Sequence, residues 1–275
     1  MSAQIQPFLK WAGGKRQLIP EILKYIPKHF DKYYEPFLGA GAVFFAVKPI
    51  KAILNDINIE LINVFEVIKD QLKELIIDLK SHEISKDYYY KIRKLDRQPD
   101  YKNLSNVNKA SRIIYLNKTC YNGLFRVSKN NFFNVPFGRY KNPNIYDENN
   151  LKLISKYLNE SSITFFSADF EKVLEATTKS DFVYLDPPYY PISNSSSFTS
   201  YSLNGFSKDE QKRLKKVCDD LNKINCKFLL SNSATPFILN LYKDYKIEIV
   251  KANRSINSKA SNRGKIDEVL VRNYD

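Results

Sequence analysis

The stretch Val183-Tyr184-Leu185-Asp186-Pro187-Pro188-Tyr189-Tyr190 runs from an apolar segment into an acid and two prolines. An apolar run rich in Val, Tyr and Leu has the composition of a buried strand. Proline donates no ladder hydrogen bond, so the strand ends there and leaves Asp186 at its carboxyl end. In an open α/β sheet that edge is where ligands bind. The prolines fix the local backbone, so the Pro187 carbonyl and the Tyr189 ring are stiffly aimed. A planar amine lying on Tyr189 finds two acceptors there, Asp186 and Pro187, for its two N–H groups. Giving up both draws the lone pair out of conjugation and makes the nitrogen more nucleophilic. The structural alternative is a capped strand end followed by a turn.

Upstream, Lys32-Tyr33-Tyr34-Glu35-Pro36-Phe37-Leu38-Gly39-Ala40-Gly41 reads as strand, Gly-x-Gly turn and helix start, the first βα unit of a nucleotide-binding sheet. The third glycine of the dinucleotide fingerprint is absent, because Phe44 holds that place. A second strand, Ala52-Ile53-Leu54-Asn55, ends at Asp56, where a carboxylate can hold ribose hydroxyls. Asp56 also suits the N-cap of a helix beginning near Ile59, and the two roles are compatible. Before this unit stands Lys10-Trp11-Ala12-Gly13-Gly14-Lys15. Its glycines permit close backbone approach, Trp11 offers a flat face, and Lys15 offers a cation near the start of a helix over 17–25. A Gly-rich turn with one packed aromatic is the plainer account of that segment.

The chain has 275 residues, 43% hydrophobic and 14% aromatic, enough for a sizeable core in one domain with an insertion. Its net charge of +13 points to an anionic partner. No apolar run approaches the ~18 residues that span a bilayer, and no signal-peptide core opens the chain. A cytoplasmic protein without a membrane partner is expected. Cys120, Cys218 and Cys226 are widely spaced, and His29 and His82 have no metal-ligand neighbour at i+4, so no metal site is expected.

Between Lys86 and Lys141 there are 13 Lys/Arg against 3 Asp and no Glu, with 11 Tyr/Phe interleaved. Such a block, inserted between two parts of a sheet, reads as a nucleic-acid-facing subdomain. The apolar positions before it, from Leu61 to Leu79, keep helical spacing and predict one long helix over 57–80. Inside the block, Asn122-Gly123 and Lys129-Asn130-Asn131 predict a loop and a β-hairpin. Asn122 and Arg126 are side-chain types that pair with adenine and guanine edges, and Arg139 suits a phosphate.

The sheet resumes at Ser162–Phe166, followed by Asp169-Phe170, which suit either an adenine contact or an N-cap and core pair. A Ser/Asn-rich loop from Pro191 to Phe206 is long enough to be functional. Ser207-Lys208-Asp209-Glu210 forms a capping box. Strands at 227–231, 246–250 and 268–272, a helix at 235–242 and a basic loop at 254–265 complete the chain.

Taken in order, Lys10-Trp11-Ala12-Gly13-Gly14-Lys15, Glu35-Pro36-Phe37-Leu38-Gly39-Ala40-Gly41, Asn55-Asp56, Asn122-Gly123-Leu124-x-Arg126, Asn134-Val135-Pro136, Asp186-Pro187-Pro188-Tyr189 and Phe198-Thr199-Ser200-Tyr201 resemble the Dam/DpnM-type DNA adenine methyltransferases over almost the whole chain. The resemblance implies a Rossmann-like α/β sheet of seven strands in the order 3-2-1-4-5-7-6 with strand 7 antiparallel. It implies a catalytic domain from 1–56 and 161–275, and an inserted, mainly helical recognition domain at 57–160. S-adenosylmethionine is the implied methyl donor, held by Trp11, Lys15, Gly39, Gly41, Asp56, Asp169, Phe170 and Asp186, with S-adenosylhomocysteine as product. Catalysis is implied at Asp186, Pro187 and Tyr189, on an adenine swung out of double-stranded GATC. Lys10, Tyr121, Asn122, Leu124, Arg126 and Pro136 are the implied target contacts. Such proteins are bacterial or phage-encoded. Some serve restriction–modification systems beside an endonuclease that forms no stable complex, and others act as orphans.

Overall fold

Five parallel strands and a terminal antiparallel strand pair make one sheet in the computed structural model, which describes residues 5–11, 13–192, 206–253 and 265–275. The strands are β1 (Tyr33–Glu35), β2 (Lys51–Asn55), β3 (Ser162–Phe166), β4 (Phe182–Leu185), β5 (Lys227–Ser233), β6 (Lys246–Asn253) and β7 (Lys265–Arg272). Their order is β3-β2-β1-β4-β5-β7-β6, and β7 runs antiparallel to both neighbours. This is the expected order. The chain reverses direction of growth between β1 and β4, which pair in parallel. That places the β1 and β4 tips side by side at a topological switch point.

All four β4 residues are buried, which is why its sequence is an unbroken apolar run rather than an alternating one. Phe182 and Tyr184 join the core on one face, while Val183 and Leu185 join the core on the other. Removing each such side chain from water contributes roughly 1.5–3 kcal/mol. Helices α1 (Ile19–Tyr25), α2 (Ala42–Val47), α3 (Ile59–Asp70), α4 (Leu72–Lys80), α5 (Lys86–Lys94), α6 (Asn106–Thr119) and α7 (Glu148–Glu160) adjoin the first core. Helices α9 (Lys208–Lys223) and α10 (Pro236–Leu241), with the short α8 (Phe170–Leu174), cover the second.

Two local expectations are corrected. The helix expected over 57–80 is two helices, because Gln71 sits at φ −135°, ψ 37° between α3 and α4. The apolar pattern keeps its phase across the bend, so periodicity alone does not register it. The cap of α3 is Asn58, whose side chain accepts from the N–H groups of Glu60 and Leu61, and not Asp56. The Ser207 cap of α9 is as expected, with its side chain accepting from Glu210 N–H.

Part of the basic block's charge is spent internally. Arg112 on α6 is 1% exposed and pairs with Asp96 at 2.8 Å, while its guanidinium donates to the carbonyls of Ile92 and Arg93. Arg97 pairs with the same Asp96, and Arg93 donates to the carbonyl of Val135. These cations hold the turn after α5 against the hairpin around Val127 and Phe133, which face each other in an antiparallel bridge.

Candidate active site

β4 ends at Asp186, and a cation is waiting for it. Lys15 Nζ lies 2.8 Å from Asp186 Oδ1, with side chains 5% and 18% exposed, and donates to the carbonyl of Gly13 at 2.7 Å. The same ammonium stands 4.5 Å from the centroid of the Tyr189 ring. Beyond the ion pair, no described group donates to Asp186 Oδ1. Pro187 is buried. The Tyr189 hydroxyl donates to Glu268 Oε2 on β7 at 2.6 Å. Sequence reading missed Glu268, which lies 79 residues away and is brought to the tip only by the β5–β7 pairing. Beneath the tip, Glu35 is 2% exposed and accepts from the Tyr33 hydroxyl. Burial holds its carboxyl well above the usual range.

Burial also pushes Asp186 up to about 6, with Lys15 pulling it down and the charge of Glu268 pushing it up. The unprotonated form only accepts, at both oxygens, whereas protonation turns one of them into a donor. Activity that needs the acceptor is therefore present above that value and lost as pH falls through it. A reaction that uses this acceptor is expected to show an acid limb near pH 6 in its kcat/KM profile. In Glu268→Gln the limb moves to lower pH, because one of the groups raising Asp186 loses its charge. A limb at the same pH in that variant contradicts the arrangement.

The Gly-x-Gly turn lies next to this tip. Gly39 adopts φ +52°, and a Cβ there would meet the Trp11 ring at 3.0 Å. Gly39 N–H donates to Asp56 Oδ2 at 3.0 Å, and Asn58 N–H donates to Asp56 Oδ1. Asp56 is thus held from both sides, yet two oxygens with about four lone-pair sites retain capacity for a diol. Gly41, at φ +69°, caps α2. Asn55, 1% exposed, ties the edge together. Its amide donates to the carbonyls of Pro36 and Ala168 and accepts from Ala168 N–H, which fixes the tips of β1, β2 and β3 to one another.

Asp169 caps α8 by accepting from Glu171 N–H and pairs through its other oxygen with Arg213. Phe170 is buried, with its ring 5.3 Å from that of Phe37 in the Gly-x-Gly turn. The N-cap and core roles are therefore present, on the same edge as Asp56. Arg213 had no signal in the sequence beyond its place on an amphipathic helix. The Phe198–Tyr201 loop, the basic loop before β7 and Ala12 lie outside the described residues.

An amide on α6 helps tie the basic segment to the Lys10 stretch. Asn117 on α6 accepts from Lys10 N–H and donates to the carbonyls of Lys10 and Gly123. Gly123 has φ +63°, and a Cβ there would meet the Lys10 side chain at 2.4 Å, so only glycine lets the loop lie on the Lys10 segment. Trp11 stacks on Phe125 with centroids 5.0 Å apart. Tyr121 is 54% exposed. Asn122, Arg126, Pro136 and Arg139 are exposed too, with Leu124 half-buried. Arg126 Nε donates to Asn134 Oδ1 at 2.6 Å, which steadies the guanidinium at the surface.

A Rossmann-like methyltransferase sheet, with a glycine turn, an acid at the β2 tip and an acid–proline–proline–tyrosine tip on β4, is the class that fold and site define. Residues 11–256 match the family model for D12 class N6 adenine-specific DNA methyltransferases. The type II methyltransferase M1.LlaDCHI of Lactococcus lactis subsp. cremoris is 46% identical over 272 residues, covering 98% of this chain and 96% of the relative. The type II methyltransferase M.MjaIII of Methanocaldococcus jannaschii is 42% identical over 291 residues, with coverage of 98% and 100%. The DNA adenine methylase of Vibrio cholerae serotype O1 is 34% identical over 269 residues, with coverage of 96% and 94%. The chain belongs to the D12 class of N6 adenine-specific DNA methyltransferases, and its substrate is DNA.

Proposed function

We propose that the chain transfers the methyl group of S-adenosylmethionine to N6 of an adenine swung out of duplex DNA, within GATC. The observation that carries this reading is the tip itself, where Lys15 holds a shielded carboxylate beside an aromatic ring, next to two prolines that stiffen the backbone. When bound, S-adenosylmethionine supplies a methyl group already activated on sulfur, and S-adenosylhomocysteine is the product. Trp11, Lys15, Gly39, Gly41, Asp56, Asp169, Phe170 and Asp186 are the residues suited to hold it. The spare acceptor capacity of Asp56 and Asp186 supports that fit.

This chain's own residues supply position and electrostatics. The adenine amino group is buried by pairing in the duplex, and extruding the base costs a few kcal/mol. Stacking on Tyr189 offsets about 1–3 kcal/mol of that. Asp186 and the Pro187 carbonyl accept the two amino N–H groups and orient the nitrogen. Lys15 keeps Asp186 ionised and in place.

The segment 57–160 is the proposed recognition domain, with Lys10, Tyr121, Asn122, Leu124, Arg126 and Pro136 at the target and Arg139 on a phosphate. A cleft of about 400 Å³ lined by Lys10, Lys118, Tyr140 and Lys141 adjoins that loop and supports an anionic partner. Two relatives are named type II methyltransferases and one a DNA adenine methylase; the proposed setting is either a restriction–modification system with a separate endonuclease or an orphan role. Among the described residues no helix is long and apolar enough to cross a membrane, and a DNA substrate is consistent with the cytoplasm.

The test is protection: plasmid treated with the protein and S-adenosylmethionine should resist an endonuclease blocked by methylated GATC. Cleavage of plasmid that has nonetheless incorporated methyl label contradicts GATC and keeps the chemistry. Arg126→Ala is expected to relax recognition at one base, costing about 1–3 kcal/mol of discrimination. Mapping methylated sites in the variant checks it, and an unchanged site preference removes Arg126 from base recognition.

A further inference from the structure

Pro187 and Pro188 have no N–H, so neither can donate a ladder hydrogen bond to secure the tip. Side chains from two other elements secure it instead. Gln211 on α9 donates Nε2 to the carbonyl of Pro188 at 2.9 Å. Asn232 on β5 accepts from Tyr190 N–H at 3.1 Å and donates Nδ2 to Gln211 Oε1 at 3.0 Å. Ser233 Oγ donates to the Tyr190 carbonyl at 2.8 Å. Gln211 and Asn232 are both fully buried. The amide orientations are dictated by their partners, since a carbonyl can only accept and a backbone N–H can only donate. The result is a grip on the backbone immediately before and after Tyr189.

We propose that Gln211 and Asn232 are positioning residues for methyl transfer, fixing the Tyr189 ring and the Pro187 carbonyl where the target amine meets them. This rests on the reading of the tip given above. The clamp touches only the backbone of the tip. The turn from Gly39 to Asp56 is held separately, through Asn55 and the Asp56 carboxylate. Two independent ties imply two separable effects, so loosening the clamp slows transfer and leaves methyl-donor affinity alone. A displacement of about 1 Å at a reacting centre costs on the order of 100-fold in rate.

The variants are Gln211→Met, which keeps the size and removes the hydrogen bonds, and Ser233→Ala, which removes one contact on the far side of Tyr189. Single-turnover transfer of labelled methyl into unmethylated plasmid is measured beside S-adenosylmethionine affinity and thermal unfolding of the full chain. Gln211→Met is expected to lower the rate about 10- to 100-fold with affinity within about two-fold. Ser233→Ala should fall in the same direction by less. Gln211→Glu, whose protonated carboxyl can donate to Pro188 again, should recover relative to Gln211→Met as pH is lowered. A folded Gln211→Met protein with the wild-type rate overturns the proposal, and so does a parallel fall in rate and affinity. If Gln211→Met does not fold, Ser233→Ala decides by the same split. Absence of transfer by the wild-type chain sinks the functional reading, and the clamp's role in transfer with it.

Discussion

Asp186→Ala is expected to lower the single-turnover rate of methyl transfer by about 10²–10³-fold, the cost of removing one preorganised electrostatic contact from a reacting centre. The argument is local. Asp186 is the carboxylate at the end of β4, and it is shielded by the Lys15 side chain, which also stands over the Tyr189 ring. The same substitution leaves the Lys15 ammonium, 5% exposed, with the Gly13 carbonyl and the Tyr189 ring as its named contacts. A buried cation stripped of its partner is destabilising, so thermal unfolding is measured alongside. DNA affinity, assigned to the proposed recognition domain, should be unchanged in a gel-shift experiment. A folded variant that retains transfer within about ten-fold of the wild type would mean that the reaction is not centred on this carboxylate.

The second large effect is on stability. Asp96→Ala removes the acid that pairs with Arg112 at 2.8 Å and with Arg97 at 2.6 Å, and that accepts from Phe133 N–H at 2.7 Å. Arg112 and Asp96 are 1% and 9% exposed, so solvent cannot replace the lost charge. Glu60, at 3.8 Å from Arg112, replaces only part of it. The expected cost is about 3 kcal/mol, the low end for breaking a buried pair from one side. Denaturant unfolding measures it, and a loss under about 1 kcal/mol contradicts the assignment. Because Phe133 leads into the Asn134 that steadies Arg126, specific DNA affinity should fall while S-adenosylmethionine affinity does not.

The strand ends were legible because they carry different signals, while the order of the strands came from the family resemblance. β4 declares itself by an apolar run that stops at two prolines. The β1–α2 turn declares itself by Gly39 and Gly41, both of which adopt positive φ, and β2 by an acid at its tip. Such local signals fix where each strand ends, and the ends are where the site lies. Tertiary partners are another matter. Glu268, Gln211 and Asn232 reach the tip across 79, 23 and 42 residues, and nothing in a polar residue on a strand or amphipathic helix announces what it will face.

The capping of α3 was misjudged for a related reason. Asp56 and Asn58 are both good caps, and only the fold shows that Asp56 is drawn off by Gly39 N–H. The basic segment was readable as a block and not residue by residue. Counting charges cannot separate Arg126, which is exposed, from Arg112, which is enclosed and satisfied by carbonyls.

The most direct test of the central claim is to incubate unmethylated DNA with the wild-type chain and S-adenosylmethionine carrying a labelled methyl group, then to digest the DNA to nucleosides. The account predicts label in N6-methyladenine, present with the wild type and lost with Asp186→Ala. Label in another nucleoside, or N6-methyladenine formed equally by the variant, would contradict it.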